Sequence, residues 1–211
     1  MDLFDAIAAG DAETAVSLLA ADPELGGQRH ESGPTPVLFA LYQRQPELAR
    51  QLARHRPLDL AEAAALDQVD RVAELLDEGE PVDGHTPDGF TPLHLAAYFG
   101  APRVAALLLS RGADVAAVAA NPMRIQALHA AAAGRWLKIA TALLAAGADP
   151  DARQQGGYTP LMAAGASGDT GIARALLAAG ADPALTNDTG KRAADLARER
   201  GADALAGELT A

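Results

Sequence analysis

The histidines are the residues of this chain best suited to metal binding or to proton transfer near neutral pH. His94 and His129 stand in the similar phrases "TPLHLAA" and "QALHAAA", which would place two imidazoles at matching positions of related elements. The other three, His30, His55 and His85, form no HxxxH or HExxH pair, and the chain contains no cysteine. The sequence therefore predicts no metal site and no catalytic site based on histidine.

Glycine-rich segments are the second place where chemistry could occur, because clustered backbone N–H groups can cradle a phosphate. Two such segments are present, Gly156-Gly157 and the run at 165–171. Neither carries the Lys-Ser/Thr pair of a Walker loop or follows a buried strand, and the chain contains no GxSxG element. We therefore predict no catalytic residue and no cofactor, and we expect that the protein is not an enzyme.

Composition and charge indicate the cellular location of the protein and the classes of partner that it can bind. The formal net charge of −11 argues against nucleic acid or an anionic membrane surface as the partner. The chain has no uncharged apolar stretch of about 18 residues and is acidic from residue 2, so neither a transmembrane helix nor a signal peptide is expected. Without cysteine, and with arginine far more frequent than lysine, the sequence is typical of a cytoplasmic protein of bacterial origin.

A repeating element must position all of these residues, and it is visible in four glycines that end similar phrases. Gly79, Gly112, Gly147 and Gly180 follow one another at intervals of 33, 35 and 33 residues, each after a Leu-Leu pair. Each unit opens at a residue that we call its anchor, such as Thr91 before a proline, where a hydroxyl can cap a helix. Seven anchors follow one spacing rule: Met1, Thr35, Leu58, Thr91, Gln126, Thr159 and Arg192. Two short helices per unit at this period predict a solenoid.

The phrases "DGFTPLHLAAYFGAPRVAALLLSRGADV" and "GGYTPLMAAGASGDTGIARALLAAGADP" closely resemble ankyrin repeats, and the resemblance covers essentially the whole chain. It implies an all-α ankyrin-repeat solenoid of about seven helix-pair units with short projecting hairpin loops. It also implies an activity in protein–protein recognition. A histidine at the place of His94 or His129 is then expected to hydrogen-bond the backbone of the adjacent turn and to align the repeats.

The repeat frame divides a single ankyrin-repeat domain, 1–211, into seven units. They are an N-terminal cap repeat (1–33), repeats at 34–56, 57–85, 86–120, 121–153 and 154–186, and a C-terminal cap repeat (187–211). Only 23 residues separate Thr35 from Leu58, so the third repeat is expected to lack a preceding hairpin, with Pro57 setting the turn. The 35 residues from Thr91 to Gln126 predict an enlarged and unusually apolar loop.

The resemblance also indicates where a partner would bind, since ankyrin repeats contact their ligands through the hairpin tips and the exposed face of the first helices. Most of the chain's Phe and Tyr residues fall at such positions, and aromatic, Met and Arg side chains are typical of binding hot spots. The predicted partner-binding residues are His85, Asp88, Phe90, Tyr98, Phe99, Met123, Arg124, Ile125, Arg153, Gln154, Gln155 and Tyr158, with Tyr42 as the equivalent of Tyr98 in the second unit. We expect a monomeric, non-catalytic module that binds another protein through this concave groove.

Two other functions stay open at this level. The apolar loop at 117–125 could form the pocket of a small-molecule sensor or of a small enzyme. The chain could also be a dedicated immunity or maturation factor for a neighbouring gene product.

Two structural expectations concern large side chains outside the groove. Trp136, the single tryptophan, is expected to pack in the turn between two helices. The basic stretch with Arg44, Arg50, Arg54 and Arg56 is expected to form a solvated face that pairs with the acidic first unit.

Overall fold

The protein is a stack of seven helix pairs, seen in a computed structural model that describes residues 1–210. The α-helices of these residues are α1 (Leu3–Ala9), α2 (Ala12–Ala21), α3 (Pro36–Tyr42), α4 (Pro46–Leu52), α5 (Leu60–Ala65), α6 (Val69–Asp77), α7 (Pro92–Phe99), α8 (Pro102–Ser110), α9 (Ala127–Gly134), α10 (Leu137–Ala145), α11 (Pro160–Ser167), α12 (Thr170–Ala178), α13 (Ala193–Glu199) and α14 (Asp203–Glu208). Two short 3₁₀ turns, Pro23–Gly27 and Gln155–Gly157, lie in the connections, and none of the described residues forms a β-strand. The predicted all-α solenoid of helix pairs is confirmed. Residue 211, the last of the predicted C-terminal cap repeat, lies outside the described residues.

Five of the seven first helices, α1, α3, α5, α7 and α11, begin at a residue whose side chain accepts a hydrogen bond from a free N–H group of the first turn. At the start of α7, Oγ1 of Thr91 accepts from the backbone N–H of His94 at 3.4 Å. The third anchor was predicted one residue too early. Leu58 has no acceptor, and the carboxylate of Asp59 caps α5 instead; the same shift of one residue places the cap of α1 at Asp2.

The helices form two layers. The inner layer contains the first helix of each pair and the outer layer the second, and successive inner helices pack together along the whole stack. Leucine and alanine fill the space between the layers: Leu93, Leu128 and Leu161, at the same position of α7, α9 and α11, are fully buried. Truncation of such a leucine to alanine typically costs about 2–5 kcal/mol, so these interfaces supply much of the stability of the stack.

The stack is most loosely packed between its second and third pairs, where the chain lacks a hairpin. Residues 53–59 lead directly from α4 to α5. The helices α4 and α6 barely touch, whereas the other successive outer helices from α2 to α12 pack against each other. The buried core accordingly divides into two clusters, one mainly from α1–α4 and one mainly from α5–α14.

Hairpin loops connect the remaining pairs. Backbone hydrogen bonds close them at 30–34, 86–90, 119–125, 154–158 and 187–191. The tips at 30–34 and 86–90 are neighbours in space, because a β-carbon on Gly33 would lie only 2.9 Å from the backbone nitrogen of Asp88. The row of tips is therefore continuous although one hairpin is missing.

Candidate functional site

An apolar pocket of about 190 Å³ opens between the inner helices and the hairpin tips. Its lining residues are Tyr42, Phe90, His94, Leu95, Tyr98, Met123 and Ile125. Tyr98 and Met123 are the most exposed of these, with 50% and 46% of their surfaces accessible to solvent. A pocket of this kind can bind an apolar group but offers few polar atoms that could take part in a reaction of that group.

The pocket joins units that are not consecutive in the chain. The rings of Tyr42 in α3 and Tyr98 in α7 have centroids 6.4 Å apart, although α5 packs between these helices. Packed helices lie about 8–10 Å apart, so two helices that flank a third are about twice that distance apart. The long side chains meet because α5 is short and carries alanine, Ala65, two residues before the left-handed residue that follows the helix, and both tyrosines stand at this same place in their own helices. The second and fourth units therefore share one surface.

Hydrogen bonds between hairpins hold the enlarged loop in place. The N–H of Met123 donates to Oδ1 of Asn121 at 3.1 Å, and the N–H of Gln155 donates to the carbonyl oxygen of Met123 at 3.0 Å. On the other side, the amide nitrogen Nδ2 of Asn121 donates to the carbonyl oxygen of Asp88 at 2.9 Å. The loop is thus tied to both neighbouring hairpins, which fixes Met123 and Ile125 at the pocket.

Tyr42 is fixed by its hydroxyl group, which donates to Oδ2 of Asp88 at 2.9 Å. Burial, followed by the nearby carboxylate of Asp88, raises the pKa of Tyr42 well above its usual value. The phenol therefore stays protonated at neutral pH and keeps its role as donor. This bond links the second unit to the hairpin before the fourth.

The two helix histidines are structural. The N–H of Thr91 donates to Nδ1 of His94 at 3.2 Å, so the ring proton lies on Nε2, which donates to the carbonyl oxygen of Ile125 at 2.9 Å. Nε2 of His129 lies 2.9 Å from the carbonyl oxygen of Ala152 in the next hairpin. Burial lowers the pKa of both rings, so they are neutral at pH 7. The expected role in aligning repeats is confirmed by these bonds.

The predicted partner-binding residues separate into two groups. Phe90, Tyr98, Met123 and Ile125 line the pocket, and Asp88 contacts it through Tyr42. Phe99 does not line it. Its half-buried ring packs against the rings of Tyr42 and Tyr98, with centroids 5.4 and 5.0 Å apart, and so supports them from behind.

The other predicted residues lie away from the pocket. Arg124, Gln154 and Gln155 lie on hairpin tips, and Arg153 donates to the carbonyl oxygen of Thr186 in the next hairpin. Tyr158 packs half-buried against the core. His85 lines a separate cavity of about 260 Å³ with Arg29, Asp59 and Glu80.

Trp136 makes a contact that sequence reasoning missed. Its indole N–H donates to the carbonyl oxygen of Tyr98 at 3.0 Å, so it packs on the preceding unit as well as on its own turn. The indole lies across two glycines, since a β-carbon would come within 2.5 Å of it on Gly100 and within 2.4 Å on Gly134. In the sequence, the signal for this contact was the presence of glycine at both positions, which leaves room for an indole ring.

No group of three or more metal-ligating side chains converges anywhere in residues 1–210. Within the same range, no helix has both the length and the apolar character needed to cross a membrane.

A family model described as ankyrin repeats (3 copies) matches residues 3–119 and 117–187. No curated protein matches the chain significantly. The matched residues include every residue that lines the pocket.

Proposed function

The chain belongs to the ankyrin-repeat family, and on that premise we propose that it is a non-catalytic module that binds another protein through the apolar pocket and the hairpin tips around it. Ankyrin repeats are generally modules for protein–protein interaction. We propose further that one apolar side chain of the partner enters the pocket, while the partner's backbone runs along the row of tips.

The size of the pocket is the observation that carries this proposal. Its volume of about 190 Å³ is close to that of a cavity of about 150 Å³ that binds benzene, so it suits a single ring or aliphatic side chain. Sites for whole small molecules are larger, at about 300–1,000 Å³. Docking of one anchoring side chain is therefore favoured over binding of a metabolite.

The surroundings of the pocket also suit protein recognition. Tyr98 and Met123 offer exposed, adaptable contact area, and residues of these types are enriched at the centres of interfaces. Arg124 and Gln155, on the adjacent tips, would supply the polar rim. Because the hydrogen bonds between the hairpins order this surface in advance, binding would require little further loss of conformational entropy.

Affinity capture from a lysate of the source organism tests the proposal. The variant Tyr98→Ala/Met123→Ala removes both exposed pocket residues, and Leu137→Ala is the control, because that side chain is 43% exposed at the start of α10 in the outer layer. We expect a protein that is retained by the wild type and the control but lost with the pocket variant. Equal capture by all three would contradict the placement of the site.

Two alternatives use the same surface differently. A small-molecule sensor or small enzyme would bind its ligand at the 117–125 loop, and native mass spectrometry of the purified protein would then show a bound metabolite. A dedicated immunity or maturation factor would capture a single protein encoded next to it.

We propose a cytoplasmic monomer without affinity for nucleic acid or membranes, on the grounds of charge and composition given above.

A further inference from the structure

A cleft opens between α4 and the turn that joins α5 to α6, on the side where α4 and α6 barely touch. Two cavities of about 370 and 310 Å³ lie along it, a third of about 360 Å³ lies between α2 and α4, and Arg50 lines all three. Arg54 lines two of them and Arg44 lines the third. The cleft is thus a consequence of the missing hairpin, and its walls carry guanidinium groups.

The cleft is locally basic, although the protein as a whole is acidic, with a net charge of −11. Its carboxylates are already neutralised, since Glu47 pairs with Arg50 and Asp67 pairs with Arg103. No ion pair within residues 1–210 includes Arg44 or Arg54. Two exposed guanidinium groups therefore have no carboxylate partner of their own.

These contacts overturn the expectation that the basic stretch pairs with the acidic first unit. Arg50 pairs within its own helix, and Arg56 pairs with Glu62 of α5. The acidic residues of the first unit are used in other ways: Asp2 and Asp11 cap α1 and α2.

The floor of the cleft is apolar. Leu41, Ala65, Leu66 and Phe99 line it between the arginines, and Leu58 continues the floor toward the connection between α4 and α5. Leu66 and Phe99 are half-buried, so they retain surface that a ligand could cover. Cations above an apolar floor are complementary to a chain in which carboxylates alternate with apolar side chains.

We propose that this cleft binds an acidic peptide segment of a partner protein, with its carboxylates on Arg44, Arg50 and Arg54 and its apolar side chains on the floor. The planar guanidinium fork matches a carboxylate with two parallel hydrogen bonds. The protein's net negative charge repels a long polyanion such as nucleic acid, whereas a short acidic segment meets only the local arginines. This site is separate from the groove pocket and does not depend on its function.

Fluorescence anisotropy with the full chain and a labelled peptide of alternating Glu and Leu tests the proposal. The variant Arg50→Gln/Arg54→Gln should weaken binding by about tenfold, as expected when two partly exposed charge pairs are lost. The control Arg174→Gln/Arg200→Gln makes the same change in net charge on the sixth and seventh units and should alter affinity by less than about twofold. Met123→Ala should leave the affinity unchanged, because Met123 lines the pocket and none of these three cavities, and this result would separate the cleft from the pocket.

Several results would overturn the proposal. One is the absence of saturable binding of the Glu-Leu peptide to the wild type. Others are equal affinity for an analogue with Gln in place of Glu, equal affinity for single-stranded DNA of matched charge, or equal weakening by the control variant. Unchanged circular dichroism and melting temperature of both arginine variants would exclude unfolding as the cause of any loss.

Discussion

Arg56 and Glu62 form an ion pair inside the junction that lacks a hairpin, with Nη2 and Oε1 2.5 Å apart. The side chain of Glu62 is completely buried, and Nε of Arg56 also donates to the carbonyl oxygen of Gly26 at 2.7 Å. Arg56 thus connects the first, second and third units at the place where the other junctions use a hairpin.

Replacing Arg56 with methionine should lower the free energy of unfolding by about 3 kcal/mol, because the buried carboxylate of Glu62 would lose its cation. The double variant Arg56→Met/Glu62→Gln should recover most of this loss, since neither charge of the pair is then left unpartnered in the junction. Urea unfolding of the wild type and both variants at pH 7 measures the difference. A loss below about 1 kcal/mol in the single variant would show that the pair does not hold the junction.

Protonation of Glu62 should make the stability depend on pH. Burial, with the nearby charge of Asp59, raises the pKa of Glu62 from 4.5 to about 6. Its contribution to stability is therefore complete below pH 4.5 and is lost as the pH rises through about 6. The difference is about 2 kcal/mol, at 1.36 kcal/mol per pKa unit.

Comparison with Glu62→Gln isolates this effect, because the variant lacks the titrating group. The stability of the variant relative to the wild type should rise by about 2 kcal/mol between pH 4.5 and 7. His94 and His129 act in the opposite sense in both proteins: their pKa values are lowered from 6.5, so the unfolded state binds protons first on acidification. Parallel stability curves for the two proteins would contradict the raised pKa of Glu62.

Tyr98 and Phe99 should differ in their effect on stability, although they are neighbours in sequence. Phe99 is packed between rings and core, whereas half of the surface of Tyr98 is exposed. We expect Phe99→Ala to cost about 1–2 kcal/mol more than Tyr98→Ala in thermal or urea unfolding. Equal losses would mean that both rings are equally buried.

Gly134→Ala should displace the indole of Trp136. Gly134 belongs to α9, where alanine would otherwise favour the helix, yet its β-carbon would lie 2.4 Å from the indole nitrogen. We expect a red shift of the tryptophan emission and a destabilisation of about 1–2 kcal/mol. The loss should disappear when the same change is made in a Trp136→Ala background; persistence there would point to strain in the helix itself.

The division of the core should appear in hydrogen exchange. The amides of α1–α4 belong to a smaller cluster that packs loosely on the rest, so they should exchange through an opening of lower free energy than the amides of α7–α11. Arg56→Met should widen this difference. Uniform exchange across all seven pairs would indicate a single cooperative unit.

The helix pairs were predictable from sequence because their ends carry local signals. The start of α7 at Thr91-Pro92 and its end at the left-handed Gly100 are each determined by a few neighbouring residues. The placement of Tyr98 and Met123 on the groove side also followed from the repeat frame, and both line the pocket.

The repeat frame could not predict that the rings of Tyr42 and Tyr98 lie close together. It depends on the small volume of Ala65 and on a hairpin that is absent, and both change the packing of units that are distant in sequence. The contact of Trp136 with the carbonyl oxygen of Tyr98 is non-local in the same way. The pairing of Arg56 was mispredicted because charge composition cannot tell which carboxylate is buried beside it.

Alanine at position 65 makes the distance along the groove shorter than the count of repeats suggests. A ligand that extends from Tyr42 to Met123 spans the second to the fifth units. The third unit contributes no side chain to the pocket along this path. Transplanting the fourth and fifth units alone into another scaffold would therefore carry over an incomplete pocket. Exchanging the third unit for a repeat with a large side chain at the place of Ala65 would push the ring of Tyr42 away from the ring of Tyr98. The second to fifth units form the smallest block that can be moved with this surface intact.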